Sequence, residues 1–257
     1  GAEIIMTTNH QKVLTNLDEL GLLKMKEYYP HYLDSVRNQT ISLTDALYNL
    51  TQKQLDYQKE MIDKRAIKLA RFPTIKSLEE FDFEFQPSIN KHDILQLKSF
   101  HFLESSTNIC FLGNSGVGKT HLATAIGIEA CIQGVKTRFI LFNDLIEKLT
   151  RASQRGTLVR TLKIFTNVPL LIIDEIGYTP ISKTQADWFY QLMARRYERA
   201  STIITTNIPF SMWAKNFDNT TASAAILDRL IHHSKVFKIT GNSYRLKNYH
   251  LDKETIG

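Results

Sequence analysis

The 257-residue sequence predicts an α/β fold built on a five-stranded parallel sheet, preceded by a small all-helical domain. Three observations carry that expectation. Five short apolar runs, at residues 109–112, 138–142, 170–173, 202–205 and 236–239, are separated by helix-length segments. Continuous apolar strands alternating with helices belong to a parallel sheet covered on both faces. A glycine-rich octapeptide joins the first run to a helix-like segment, Thr120 to Gln133. The first 70 or so residues instead repeat apolar side chains at helical spacing.

The composition, 43% hydrophobic and 23% charged, is that of a globular chain with one substantial core and room for a small extra module. No apolar run approaches the ~20 residues of a membrane span. The N-terminal stretch lacks the charged start and apolar run of a signal peptide, so a cytoplasmic location is expected. Cys110 and Cys131 fall on a predicted strand and helix, at a spacing that fits no metal motif. They read as small buried hydrophobes. The net charge of +6 is uneven: residues 1–71 carry a net +1, residues 72–179 are neutral, and residues 180–257 carry +5. A basic excess suits a phosphate backbone, and solvated lysines would look the same.

In chain order, Leu14, Leu17, Leu20 and Leu23 predict a helix ending near Gly21, and Pro30 starts or kinks a further segment. Ser42, with Asp45 three residues on, marks the start of a long helix. Behind it Leu43, Leu47, Leu50, Tyr57 and Met61 form an apolar stripe. These helices are either a plain bundle or a docking module for a partner protein. Arg71-Phe72-Pro73 breaks the helix, because a proline excludes its predecessor from helical geometry. Phe81, Phe83 and Phe85 then alternate at period two, which predicts an extended linker packed on the next domain. Simple docking is the favoured reading there, and a wall for a nucleotide base the other. The predicted division is a helical domain over 1–68, a linker over 69–90 and an α/β domain over 91–257.

The octapeptide is Gly113-Asn114-Ser115-Gly116-Val117-Gly118-Lys119-Thr120, a phosphate-binding P-loop in its strand–loop–helix setting. Its glycines let successive N–H groups turn inward around phosphates. Lys119 is the residue to reach the β- and γ-phosphates, and the Thr120 hydroxyl is the one to ligate Mg²⁺. The run Leu170-Leu171-Ile172-Ile173 ends in Asp174 and Glu175, at the strand end where ligands bind in open α/β sheets. Asp174 is expected to hold Mg²⁺ directly or through water, and Glu175 to polarise the attacking water. Asn207 ends a third strand and is placed to contact the γ-phosphate or that water, though asparagine also ends strands for turn reasons alone. Arg229 follows on a short helix. It is either an arginine finger for a neighbouring subunit's site or half of a surface pair with Asp228. His121, His232 and His233 receive no catalytic role. Residues 144–165 hold Lys148, Arg151, Arg155, Arg160 and Lys163 against two acids, and Arg151 and Arg155 share a face if one helix runs through. This is the best candidate for contacting DNA phosphates.

The run from about Leu69 to Arg245 closely resembles the IstB-like helper ATPases of insertion-sequence transposition, members of the AAA+ class beside the DnaC-type helicase loaders. The likeness rests on Gly118-Lys119-Thr120-His121-Leu122-Ala123, Leu171-Ile172-Ile173-Asp174-Glu175-Ile176-Gly177-Tyr178 and Arg196-Tyr197-Glu198. It continues through Thr205-Thr206-Asn207, Leu227-Asp228-Arg229-Leu230 and Gly241-Asn242-Ser243-Tyr244-Arg245. It implies an AAA+ P-loop core binding ATP and Mg²⁺, with Lys119 and Thr120 as Walker A, Asp174 and Glu175 as Walker B, Asn207 as sensor 1 and Arg229 as the finger in trans. It also implies that the Asn207 strand lies between the two Walker strands. Only 17 residues follow residue 240, so no C-terminal lid is expected, and Arg245 is the remaining candidate for the lid arginine's role.

The leading expectation is therefore an ATP-dependent DNA-binding ATPase that forms a homo-oligomer on duplex DNA and recruits or stimulates a transposase. A replicative helicase loader would carry the same motifs. A P-loop small-molecule kinase would need an acceptor pocket and would not need Glu175 or Arg229. A nucleotide-gated scaffold would bind ATP without turnover.

Overall fold

The structure, a computed structural model, describes residues 2–218 and 220–247. The chain divides into two compact units at Arg65/Ala66. The first holds α1 (Ala2–Glu19), α2 (Leu23–Arg37) and most of α3 (Leu43–Ala70). Gly21 ends the first helical stretch with φ +68°, its N–H bonding Asp18 O at 2.9 Å while Leu22 N–H bonds Leu17 O at 2.8 Å. These paired bonds satisfy carbonyls that α1 leaves open. Ser42 Oγ accepts the Asp45 N–H at 3.1 Å, the predicted start of α3. The start of α2 has a more distant cap, since Gln54 Oε1 on α3 accepts the Lys24 N–H at 2.9 Å.

Of the two expectations for Pro30, that it starts or kinks a segment, the first fails: it lies inside α2, where it forfeits a single helical hydrogen bond and the helix continues. One further expectation for this unit is corrected. The buried stripe of α3 is Ala46, Leu50 and Gln54, at i, i+4 and i+8, whereas Leu43, Leu47 and Met61 are exposed. Within this unit that row faces the start of α2, where Gln54 meets the Lys24 N–H, and those other apolar positions stay exposed.

In the second unit Arg71, at φ +64°, ends α3 ahead of Pro73. The following segment is not the extended run that alternating phenylalanines predict. It folds into three successive turns: Phe81 N–H to Leu78 O at 3.2 Å, Phe85 N–H to Asp82 Oδ1 at 2.9 Å and Ile89 N–H to Gln86 O at 3.1 Å. Leu78, Phe81 and Ile89 are buried by this folding. Two short helices, α4 (Lys91–Gln96) and α5 (His101–Glu104), lead into the sheet.

The sheet strands are β1 (Asn108–Gly113), β2 (Thr137–Leu141), β3 (Leu170–Ile176), β4 (Ser201–Thr206) and β5 (Ser234–Ile239). All pair in parallel, in the order β2-β3-β4-β1-β5. Between them run α6 (Lys119–Ile132), α7 (Phe142–Gln154), α8 (Leu158–Thr166), α9 (Lys183–Arg196), α10 (Trp213–Asn216) and α11 (Thr220–His232). Strand alternation splits the core: Leu170 and Ile172 share a cluster with Leu122 and Ile126 of α6, whereas Leu171 and Ile173 pack with Phe142, Phe189 and Trp213. Cys110 and Cys131 are both buried, and burial pushes the Cys110 thiol up to about 12. No helix among the described residues is long and apolar enough to cross a membrane.

Arg196, at the end of α9, is 1% exposed and has no carboxylate partner among the described residues. Its guanidinium donates to the carbonyls of Phe165, Thr166, Val168 and Ser201 and to Thr202 Oγ1. It therefore ties the end of α8 to the first residues of β4. Burial pulls its pKa down to about 9, which still leaves it charged at neutral pH. Arg196→Met keeps the length but strands these carbonyls, and each buried acceptor left open costs about 1–3 kcal/mol. A loss of about 3 kcal/mol or more in denaturant unfolding is expected; a loss below about 1 kcal/mol would contradict this bracing role.

Candidate nucleotide site

The site lies at the C-terminal ends of β1, β3 and β4. Between β1 and α6 the loop turns through Gly116 (φ +79°) and Gly118 (φ +98°). Both glycines are also needed for space. A Cβ at Gly118 would stand 2.5 Å from the Phe81 ring, and one at Gly116 would stand 2.1 Å from Ser243 Oγ. The P-loop is thus gripped from both sides by segments remote in sequence. Tyr244 N–H bonds Gly116 O at 2.9 Å, Gln86 Nε2 bonds Asn242 O at 2.7 Å and Lys247 Nζ meets Asp82 at 2.8 Å. Together they wall a cavity of about 430 Å³, lined among others by residues 115–121, Phe81, Glu175, Asn207, Tyr244 and Arg245. That volume falls within the range of small-molecule sites.

Lys119 is 8% exposed and its ammonium donates to Gly113 O at 2.8 Å and Asn114 O at 2.7 Å. Burial holds its pKa below the usual lysine value, against the opposing charges of Asp174 and Glu175. Thr120 Oγ1 lies 3.0 and 2.9 Å from the two carboxylate oxygens of Asp174. Thr205 Oγ1 donates to the same carboxylate and accepts the Glu175 N–H at 2.9 Å. Glu175 is thereby held at φ +62°, in the left-handed region, with its side chain on the cavity. Such a conformation costs a non-glycine residue free energy and persists only where the surroundings fix it. Asn207 follows β4, which lies between β3 of Asp174 and β1 ahead of the P-loop, and its Oδ1 is buried without a hydrogen-bond partner among the described residues.

The residues fit a nucleotide with a divalent cation. The loop offers inward N–H groups for phosphates, and Thr120 and Asp174 are hard oxygen donors of the kind Mg²⁺ takes alongside substrate phosphates. Asn207 brings an unmet polar group to the same cavity.

Other candidate residues lie elsewhere. Arg229 is outside the cavity lining: it donates to Ala225 O at 3.1 Å and sits 4.9 Å over the Tyr190 ring, with no Asp228 ion pair. The single basic helix over 144–165 is corrected to two, because Gly156 (φ +67°) breaks it and Arg155 caps α7 instead of sharing a helical face with Arg151. Arg151 is engaged by Glu147, while Lys148, Arg155, Arg160 and Lys163 are exposed and lack ion pairs among the described residues. His121 packs edge-on against Phe81 and meets Ser77 O at 2.7 Å; His232 and His233 lie away from the cavity on Tyr197 and Glu198. Asn90-Lys91-His92-Asp93 matches the Asn-Lys-x-Asp pattern of guanine-reading sites. Here, however, Asn90 caps α4 through His92 N–H at 2.8 Å, and none of the four residues lines the cavity.

Sequence reading passed over Thr205, Gln86 and the grip of residues 240–247 on the linker. Thr205 reads as an ordinary β-former, and a contact 156 residues apart leaves no local trace.

Burial is the main influence on Asp174 and holds its carboxyl above the usual range, outweighing the two threonine hydroxyls. The folded pKa thus exceeds the unfolded one. Ionisation then costs stability: the cost is absent below the unfolded pKa, grows as pH rises and is complete above the folded pKa. Asp174→Asn should therefore raise the neutral-pH Tm of ligand-free protein while abolishing Mg²⁺-dependent turnover. A lowered Tm with turnover retained would contradict both assignments.

Comparison with known proteins agrees with this geometry. Residues 15–251 match the family of IstB-like ATP binding proteins. The insertion sequence IS232 ATP-binding protein of Bacillus thuringiensis subsp. berliner is 45% identical over 249 residues, covering 97% of this chain and 99% of that protein. Among solved structures, the DnaC helicase loader superposes with a TM-score of 0.53 at 24% identity, over 63% of this chain and 96% of the loader. AMPPCP-bound DnaA from Aquifex aeolicus gives 0.57 at 20% identity, over 72% and 56%. Those two likenesses are of fold, and the fold is the AAA+ P-loop architecture. With its phosphate loop, paired acids and interposed polar strand, the chain belongs to the IstB-like ATP-binding proteins and is an ATPase of that type.

Proposed function

We propose that this ATPase assembles on duplex DNA when it binds ATP, recruits or stimulates a transposase, and comes apart on hydrolysis. The observation that carries the reading is the incompleteness of the site in one chain. Lys119, Thr120, Asp174, Glu175 and Asn207 surround one cavity, yet Arg229 is held outside it on the α11 surface. A second copy presenting Arg229 would supply the missing cation, so ATP would act as an assembly signal as well as a substrate. The insertion-sequence names of the relatives support transposition over helicase loading as the setting.

In this reading Lys119 turns from the loop carbonyls to the β- and γ-phosphates. Thr120 and Asp174 would hold Mg²⁺, which would supply charge neutralisation at the phosphates. Glu175 accepts a proton from the attacking water, and Asn207 orients that water or the γ-phosphate. Residues 1–68 dock the partner protein, supported by exposed Leu43, Leu47 and Leu55 on α3, and residues 69–90 pack on the ATPase domain of residues 91–257. The duplex is gripped through its backbone by Lys148, Arg160 and Lys163, with Arg155 at their edge.

Arg229→Ala should lower turnover by about 10³-fold or more while leaving ATP affinity intact. Mixing it with Glu175→Gln should restore part of the activity, because one interface then pairs an intact cavity with an intact arginine. Inactive mixtures, with both variants folded and binding ATP, would sink the shared-site reading.

A further inference from the structure

We infer that Arg71, Arg138 and Lys148 form a second phosphate-binding site, at the β2 edge of the sheet, which holds successive backbone phosphates of DNA. The inference rests on the DNA-binding reading above and locates part of that contact.

Arg138 is the second residue of β2, an edge strand, and its side chain projects to the face covered by α7 and α8. Its guanidinium lies 5.9 Å over the Phe165 ring of α8. Nε is buried without an acceptor, and the Arg138 side chain makes no hydrogen bond or ion pair among the described residues. The Phe72 ring stands 6.1 Å from that of Phe139, which brings the segment after α3 against β2, where the charge of Arg71 acts on Arg138. Lys148 projects from α7. The three charges act on one another: Arg71 disfavours the charged form of Arg138, and both do so for Lys148, after burial as the main cause in each case.

Their acidic surroundings do not compensate them. Asp144 and Glu147 are the carboxylates that act on Lys148, and Glu147 is engaged by Arg151. None of the three cations lines the nucleotide cavity. A fold that gathers like charges and leaves a guanidinium without acceptors is complementary to a polyanion. A planar guanidinium seated on an aromatic ring also presents its remaining N–H groups in fixed geometry, which suits phosphate oxygens. Exposed Arg160 and Lys163 on α8 give the backbone a continuation.

The test measures affinity of the full chain for duplexes of unrelated sequence, with a non-hydrolysable ATP analogue, across a salt series. Each phosphate contact contributes about 0.9 to the slope of log K against log salt. Arg71→Gln/Arg138→Gln/Lys148→Gln should lower that slope by about 2–3 and weaken all sequences alike, with ATP affinity unchanged. The double variant Arg71→Gln/Lys148→Gln alters only exposed side chains and should lower it by about 2. Wild-type binding with an unchanged slope in the double variant would overturn this inference alone. Wild-type protein that never binds duplex would overturn the DNA reading and this inference with it.

Discussion

The carboxylate of Asp174 is the point on which the site depends. It is buried at the end of β3 and receives hydroxyls from Thr120 at the start of α6 and Thr205 on β4. One acceptor thereby joins the P-loop helix, the strand of the paired acids and the strand leading to Asn207. The join requires β4 to lie between β3 and β1, which is the observed order. Thr205 also takes the Glu175 N–H, so the residue that holds the Asp174 carboxylate also fixes the left-handed turn that presents Glu175 to the cavity. A movement at the γ-phosphate end of β4 would reach both acids through one side chain.

The second constraint is closure from outside the sheet. Phe81 and Ser243 stand where Cβ atoms at Gly118 and Gly116 would be. The turns of residues 78–89 and the segment after β5 are clasped together by Gln86, Asp82 and Lys247, so the P-loop is fixed by both chain ends of the ATPase unit. Arg229 has no such connection to the cavity. Its seat on Tyr190 holds it between α9 and α11, and the proposed role in a second copy's site starts from that placement.

Much of this was legible in the sequence. All five strands overlap the apolar runs, with β3 extending past its run to take in both acids, because the inner strands of a sheet covered on both faces have to be continuously apolar; β5, at the edge, is largely exposed. The P-loop and the Asp174-Glu175 pair were legible for a related reason: charged and glycine residues at the ends of such runs have few structural uses. What escaped reading depended on tertiary geometry. Alternating phenylalanines in 81–85 imitate a strand, yet Asx and backbone turns fold them against the loop. Gly156 divides a basic segment that charge spacing alone makes continuous. The exposed leucines of α3 obey helical spacing but find only one narrow face covered.

The central claim is that one chain carries an ATP cavity lacking its transition-state cation. The most direct measurement is the rate of ATP hydrolysis per subunit over a wide range of protein concentration, at saturating ATP and without other proteins. The account predicts a rate per subunit that rises steeply with concentration until assembly is complete, and that duplex DNA shifts this rise to lower concentration. A rate per subunit that stays constant down to concentrations at which the protein is monomeric would contradict it.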